Sequence, residues 1–447
     1  LIMVSMKRFL KFLFVALLLL AITPAFAQLS QKLEKFDNIS GIQELKIDQK
    51  MENPFQEKYV MFFEQPIDHK NPSLGTYKQR VIVALADYNA PTVLVTEGYG
   101  AAYALNPLYR DEISRLFNTN LVVVEHRYFL ESVPFMQEDS TITPSTLDWS
   151  YMTGENNSAD IHNINQTLRE VFKGKWIATG ISKGGQNSLI YTSFYPEDVD
   201  ITVPYVGPLC KGVEDGRHEP FLEEVTGSQA DRDVLRAFQN EFLDRRATIK
   251  PIFDSLCNAK GYKFSAPLDA IYDYTVLEFP FAFWQWGRDI ETVPGKDATD
   301  KEMLNYLLMV SGPDYFAHGD ANSPFFVQAA KELGYYGYDT KPFKGKLSIK
   351  NAKGYLHQLF LPEGVKVKFS KKLYRKVNKF YRTTKDSKIL AIYGEYDPWS
   401  AVRVPDSDRE NVKVFIDPEG SHRARIGTLP EEMKEEVMET LKSWLAE

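Results

Sequence analysis

The sequence predicts an α/β fold built on a mostly parallel sheet, and three observations predict it. Short, nearly continuous apolar runs recur at Val93–Val95, Leu121–Val124, Trp176–Ala178, Ile201–Val206, Ile389–Tyr393 and Val412–Ile416. Unbroken rather than alternating apolarity means that both faces of a strand are covered, which is how parallel strands lie beneath helices. Segments of helical length separate most of these runs. Finally, 447 residues with 44% hydrophobic and 25% charged side chains can bury a large core, which excludes a disordered or fibrous chain.

The elements follow in order. Lys7, Arg8 and Lys11 precede an apolar run from Phe12 to Ile22, and Ala25-Phe26-Ala27 supplies the small-x-small pattern of a cleavage site. Residues 1–27 are therefore expected to be a signal peptide cleaved after Ala27, giving a secreted or periplasmic protein without a stable membrane anchor. Tyr59–Phe63 and Gln79–Ala86 read as two strands joined through the turn chemistry of Asp68-His69-Lys70-Asn71-Pro72, an antiparallel entry to the sheet. The N-terminal part of the core is expected over 28–207.

Between 208 and 372 the strand rhythm stops, and a helical cap is expected. Asp231–Arg246 places Val234, Leu235, Phe238 and Phe242 on one face, and Lys301–Val310 does the same with Met303, Leu307 and Leu308. The densest aromatic cluster of the chain, Leu277–Gly287, lies in this insert. The core resumes over 373–447 and closes with a helix opening at Pro430, a favoured first helical residue, with Met433, Val437, Leu441 and Trp444 along one face.

Charge and metal-binding residue types narrow the chemistry. The formal net charge is −7, and −10 once the leader is removed with its three basic residues, so no basic field exists to hold nucleic acid. The two cysteines, Cys210 and Cys257, are compatible with a bridge or with two separate buried thiols. The seven histidines (His69, His126, His162, His218, His318, His357 and His422) show no pair at metal-binding helical spacing, and no metal or other cofactor is expected. His69 falls in a turn, His126 reads as a hydrogen-bonded core residue, and His218 and His318 fall in the insert.

One constellation carries chemistry. The strand at Trp176 runs into Gly180-Ile181-Ser182-Lys183-Gly184, a G-x-S-x-G string, and a helix over Lys183–Tyr195 follows until Pro196. This strand-turn-helix setting is the one in which such a serine becomes an exposed nucleophile on a tight, strained turn. A serine hydroxyl needs a base oriented by a third group. His422 follows the last strand, and the preceding strand leads into Glu395-Tyr396-Asp397, which makes Asp397 the expected orienting carboxylate and Glu395 its alternative. Acyl transfer also needs donors for an oxyanion. The Lys183 amide is one, and the glycine-rich loop Thr96-Glu97-Gly98-Tyr99-Gly100 offers the Tyr99 amide, with Gly98 as the alternative.

These residues resemble a known family. Gly180–Gly185, Glu125-His126-Arg127-Tyr128-Phe129 upstream, Tyr195-Pro196-Glu197-Asp198-Val199-Asp200 downstream and Phe283-Trp284-Gln285-Trp286-Gly287 in the insert are similar to the secreted serine tripeptidyl aminopeptidases of the α/β-hydrolase class. The Glu-His-Arg-Tyr block with Glu131-Ser132 is also similar to the Pro-X carboxypeptidase and dipeptidyl peptidase II family. The resemblance runs from about Tyr59 to the C-terminus and implies an exopeptidase that releases short peptides from free N-termini, often after proline, with Ser182, Asp397 and His422 as triad. Gln186 departs from the Met associated with that position.

Physical reasoning about peptide substrates adds further expectations. Cleavage near a chain end needs a pocket closed on one side and an anion for the substrate ammonium, because an unpaired buried charge is costly. Glu278 and Glu97 are the candidate anions, each with a structural ion pair as the plainer alternative; Trp284 and Trp286 are candidate walls for proline, and Glu125 is expected to pair with Arg127. An esterase or lipase with the same triad, or a binding protein retaining only the fold, remain the competing readings.

Overall fold

A computed structural model describes residues 28–48, 53, 55–136, 139 and 141–447. The leader read at residues 1–27 lies outside the described residues. Among the described residues, nine strands form one sheet: β1 (Ile39–Glu44), β2 (Glu57–Pro66), β3 (Thr76–Leu85), β4 (Thr92–Thr96), β5 (Asn120–Val124), β6 (Trp176–Ile181), β7 (Ile201–Tyr205), β8 (Lys388–Gly394) and β9 (Val412–Asp417). Their spatial order is β1-β2-β3-β5-β4-β6-β7-β8-β9. The β1/β2, β2/β3 and β3/β5 pairs are antiparallel, whereas the β5/β4, β4/β6, β6/β7, β7/β8 and β8/β9 pairs are parallel. A sheet of this order with an elbow after β6 is the α/β-hydrolase fold.

The unbroken apolar runs do what their pattern demands. Along β4, Val93 and Val95 enter one core while Leu94 enters the core on the opposite face, and β5 divides Leu121 and Val123 from Val122 and Val124 in the same way. Both strands are buried at every position. Helices cover both faces; Gly154–Arg169 sends Ile161, Ile164 and Leu168 into one core, and the final helix sends Val437, Leu441 and Trp444 into the other. Pro430 caps that last helix, which itself runs over Glu431–Ala446, because a proline with ψ 147° is still extended.

Between β7 and β8 the chain forms helices including Gln229–Asp244, Arg246–Lys260, Leu268–Gln285 and Asp300–Ser311. Sequence chemistry sets their starts: Ser228 with Asp231, and Thr299 with Glu302, make reciprocal capping boxes. The expected helix at 231–246 starts two residues earlier for that reason, and a second helix follows directly. Leu268–Gln285 is buried on nearly all sides and forms the axis of an aromatic core containing Phe279, Phe281, Phe283 and Tyr336. Cys210 and Cys257 are both free and buried, so of the two readings left open the separate thiols hold. Among the described residues no helix is long and apolar enough to cross a membrane, and no group of three His, Cys, Asp or Glu could hold a metal ion.

Candidate active site

Ser182 sits at φ 57°, ψ −120°, a conformation that costs a non-glycine residue energy and therefore persists only where its surroundings impose it. The surroundings are backbone. Ser182 N–H donates to the Tyr205 carbonyl at 2.9 Å, and the Ser182 carbonyl accepts from Gln186 N–H at 2.9 Å to start the helix. A Cβ on Gly180 would lie 2.4 Å from the Gly184 backbone, and one on Gly185 would lie 2.6 Å from the Tyr205 carbonyl oxygen. Strand β6, strand β7 and the elbow helix can close around the serine only because those positions are glycine. Gly184 is less constrained, since its Cβ would lie 3.1 Å from the Thr96 oxygen.

Asp397 and His422 leave the same edge of the sheet, after β8 and β9. Gly394 governs their approach: a Cβ there would strike the Ser421 and Gly420 carbonyls at 2.3 and 2.4 Å, so only glycine lets the loop carrying His422 lie across the end of β8. The Tyr396 N–H donates to Gly420 O at 2.9 Å, and the His422 N–H to Gln285 O of the insert at 3.0 Å. His422 Nδ1 then lies 2.7 Å from Asp397 Oδ2, while Asp397 Oδ1 accepts from the Trp399 amide at 3.1 Å. Asp397 is wholly buried and His422 is 5% exposed. Glu395, the alternative acid, faces another way; its carboxylate accepts from the Glu419 N–H at 2.8 Å and braces the loop.

Ser182 opens into a cavity of about 450 Å³ whose walls come from the sheet edge and from the insert, among them Lys183, Tyr99, Gln186, Glu278 and Trp286. The His422 ring lies edge-on to Trp286 at 6.2 Å and near Trp399 at 6.5 Å, two residues that line this cavity. Gly98 packs against the elbow so closely that a Cβ would meet that of Lys183 at 2.7 Å, which brings the Tyr99 loop beside the serine turn.

The candidate anions fare differently. Glu278 is buried on the cavity wall, where both carboxylate oxygens accept from the Tyr336 hydroxyl at 3.0 Å and Oε2 accepts from Tyr338 at 2.5 Å. No cationic side chain pairs with it among the described residues. Burial pushes its pKa up to about 8 against the lowering effect of the tyrosine hydroxyls. Glu97 instead accepts from the Tyr103 hydroxyl and, at 3.1 Å, from the Gly98 amide, its carboxylate lying against the Gly98 and Tyr99 amides and off the cavity wall.

Two other expectations change. Trp284 packs inside the insert, edge-on to Phe283 at 5.2 Å and to Tyr396 at 5.5 Å, and lines smaller cavities away from Ser182. The helix ends at Gln285, with Trp284 in its last turn and Trp286 just beyond it, and residues two positions apart do not face the same way. The Glu125–Arg127 pair does not form: the strand ends at Val124 and the chain turns at Arg127, so the two side chains meet different partners. Glu125 pairs with Arg80, and Arg127 makes a two-point contact with Asp160 at 2.7 and 2.8 Å, shared with His69 at 2.7 Å.

Of the remaining histidines, His126 is a core residue whose Nδ1 lies 2.7 Å from the Arg127 carbonyl oxygen. His218 is enclosed by Phe281, Tyr336 and Trp399, and burial lowers its pKa to about 3. His318 lines a different cavity. Sequence reasoning missed the tyrosines around Glu278; the signal was the Tyr335-Tyr336-Gly337-Tyr338 string, an aromatic triplet farther along the same insert.

The chain is similar to several known proteins. The prolyl tri/tetrapeptidyl aminopeptidase of Streptomyces mobaraensis is 30% identical over 410 residues, covering 88% of this chain and 81% of the relative. The lysosomal Pro-X carboxypeptidase of Mus musculus is 29% identical over 150 residues, 31% of this chain and 30% of the relative. A solved proline iminopeptidase of Mycobacterium smegmatis aligns over 86% of this chain and 99% of its own, at 14% identity and a TM-score of 0.40. The family model described as PS-10 peptidase S37 matches residues 33–446, and this chain therefore belongs to that family and is a serine peptidase.

Proposed function

We propose that this peptidase is an exopeptidase that releases short peptides, of three residues, from free N-termini with a preference for cleavage after proline. Ser182 Oγ attacks the scissile carbonyl carbon; His422 accepts its proton at Nε2 and returns it to the leaving amine, and water then hydrolyses the acyl-enzyme by the same route. Asp397 accepts from Nδ1–H of His422, which holds the imidazole with Nε2 free to act as base. The Lys183 amide and the Tyr99 amide, with Gly98 as the alternative, receive the oxyanion. Trp286 forms the apolar wall nearest His422.

The observation that carries the exopeptidase reading is Glu278, a buried carboxylate without a cationic partner in the cavity that Ser182 opens into. Holding a charge in so apolar a place is unfavourable unless a cation arrives, and the α-ammonium of a peptide is such a cation. Glu97 is the poorer candidate, since its carboxylate is already engaged beside the oxyanion loop. The name of the Streptomyces mobaraensis relative points to the same substrates.

Residues 208–372 act in this reading as a cap that closes one end of the cleft over a core made of 28–207 and 373–447. The basic and apolar run over residues 1–27 serves as an export leader, and N-terminal sequencing of the exported protein should begin at Gln28. Mass spectrometry of a peptide mixture tests the activity: tripeptides should leave unblocked chains, and N-acetylation should abolish release. Turnover of acyl esters without peptide cleavage would replace this reading with an esterase, and a wild-type chain that never reacts with a fluorophosphonate would leave only a binding protein.

A further inference from the structure

We propose that the side chain of Lys183 is a positioning residue for the oxyanion site, acting through the peptide group that joins Gly98 to Tyr99. The inference rests on the reading of Ser182 as nucleophile and of the Tyr99 amide as oxyanion donor. Lys183 is the first residue of the elbow helix, and its side chain is 1% exposed. Its ammonium donates to the Gly98 carbonyl at 2.5 Å and lies over the rings of Phe129 at 5.0 Å and Tyr99 at 5.5 Å. Burying a lysine this way is costly, and burial lowers its pKa well below the ordinary value. Packing alone would be met by methionine.

The carbonyl that receives the ammonium belongs to the same planar unit as the Tyr99 N–H. In a trans peptide the C=O and N–H point in opposite directions, so fixing one end aims the other. A hydrogen bond to the oxygen also draws electron density from the nitrogen and makes its hydrogen a stronger donor. The neighbouring carbonyls are held too: Glu97 O accepts from Asn187 Nδ2 at 2.7 Å, and Tyr99 O from the His126 N–H at 3.1 Å. Of these three carbonyl ties, the one from Lys183 acts on the peptide that presents the Tyr99 amide, which the Glu97 carboxylate neighbours from the nitrogen side. One residue therefore supplies one donor with its own amide and orients the other with its side chain.

Lys183→Met keeps the backbone amide and the packing stem but removes the tie. With Ala-Ala-Pro-p-nitroanilide carrying a free amine, kcat should fall on the order of 10- to 100-fold while KM stays within about twofold, because the lost interaction matters chiefly in the transition state. A tripeptidyl trifluoromethyl ketone, which Ser182 captures as a tetrahedral oxyanion, should lose affinity by the same factor, whereas the product Ala-Ala-Pro should bind as before. A purely structural lysine would lower the melting temperature and leave this split unmoved. Lys183→Leu, which also lacks a donor, gives a second route if the methionine variant does not fold. A kcat near wild type in either folded variant, or equal losses for analogue and product, overturns the proposal. Fluorophosphonate labelling of the wild type but not of Ser182→Ala secures the underlying reading; a wild type that does not label removes that reading and this inference together, whereas a labelled wild type with unaltered variant kinetics removes this inference alone.

Discussion

Two facing regions of the cleft treat their buried acids in opposite ways. At the rim of the sheet, Asp397 is met by the His422 ring and the Trp399 amide, and deeper in the core Asp160 is met by Arg127 and His69. In the insert across the cavity, Glu278 is met by tyrosine hydroxyls alone. Lack of cations in the insert is not the reason, since Asp273 on the same helix pairs with Arg246. The difference separates carboxylates paired inside the protein from one that, among the described residues, meets no cationic side chain. In the proposed function the first kind orients a side chain and the second kind receives the substrate ammonium.

The comparison can be broken most forcefully at the rim. Ser182→Ala should lower kcat by about 10⁵-fold or more and abolish fluorophosphonate labelling with the fold intact by circular dichroism. Asp397→Asn should follow, with a loss of about 10⁴-fold in kcat and little change in KM, because the imidazole loses its orientation. Glu395→Gln should stay within about threefold of wild type, since its loss disturbs a loop brace rather than the imidazole; the reverse pattern would move the acid to Glu395.

On the insert side, Glu278→Gln should lower kcat/KM about 100-fold for free-amine peptides, the scale of losing a buried charge partner, and leave N-acetylated peptides as poor as before. The same variant sharpens the electrostatic argument. An unfolded glutamate titrates near 4.3 and the folded one at about 8, so the native state holds the extra proton between these values and stability falls as pH rises through that window. In Glu278→Gln that contribution should vanish, so chemical denaturation across pH 4–8 should show the wild type losing stability relative to the variant as pH rises.

Smaller effects separate the two tryptophans. Trp286, 42% exposed on the cavity wall, should on replacement by alanine raise KM severalfold with a modest effect on melting. Trp284→Phe should lower the melting temperature by a few degrees and leave the kinetics unchanged. The smallest effect is expected from dithiothreitol, which should leave the melting curve unmoved because Cys210 and Cys257 are free.

Much of this was legible in the residues. The runs at Val93–Val95 and Leu121–Val124 announced strands covered on both faces, since side chains alternate along a strand and each run is apolar at every position. The glycines around Ser182 announced the elbow, because only a residue without Cβ survives where two backbones touch. The order of Ser182, Asp397 and His422 followed from the strand ends they succeed. These are local rules, and local rules are written in neighbouring residues.

Tertiary structure alone decided the rest. Arg127 could not be matched to Asp160 instead of Glu125, nor Trp284 separated from Trp286, without knowing which way each side chain leaves its element. The tyrosines that cup Glu278 lie about sixty positions along the chain from it, and the carbonyl that Lys183 grips belongs to a loop after a different strand. Sequence thus determined the elements and the order of the reactive groups, because propensity and backbone sterics act over a few residues. Which carboxylate meets a cationic side chain and which meets only hydroxyls was settled by packing alone, because electrostatic pairing depends on distance in space rather than on distance along the chain.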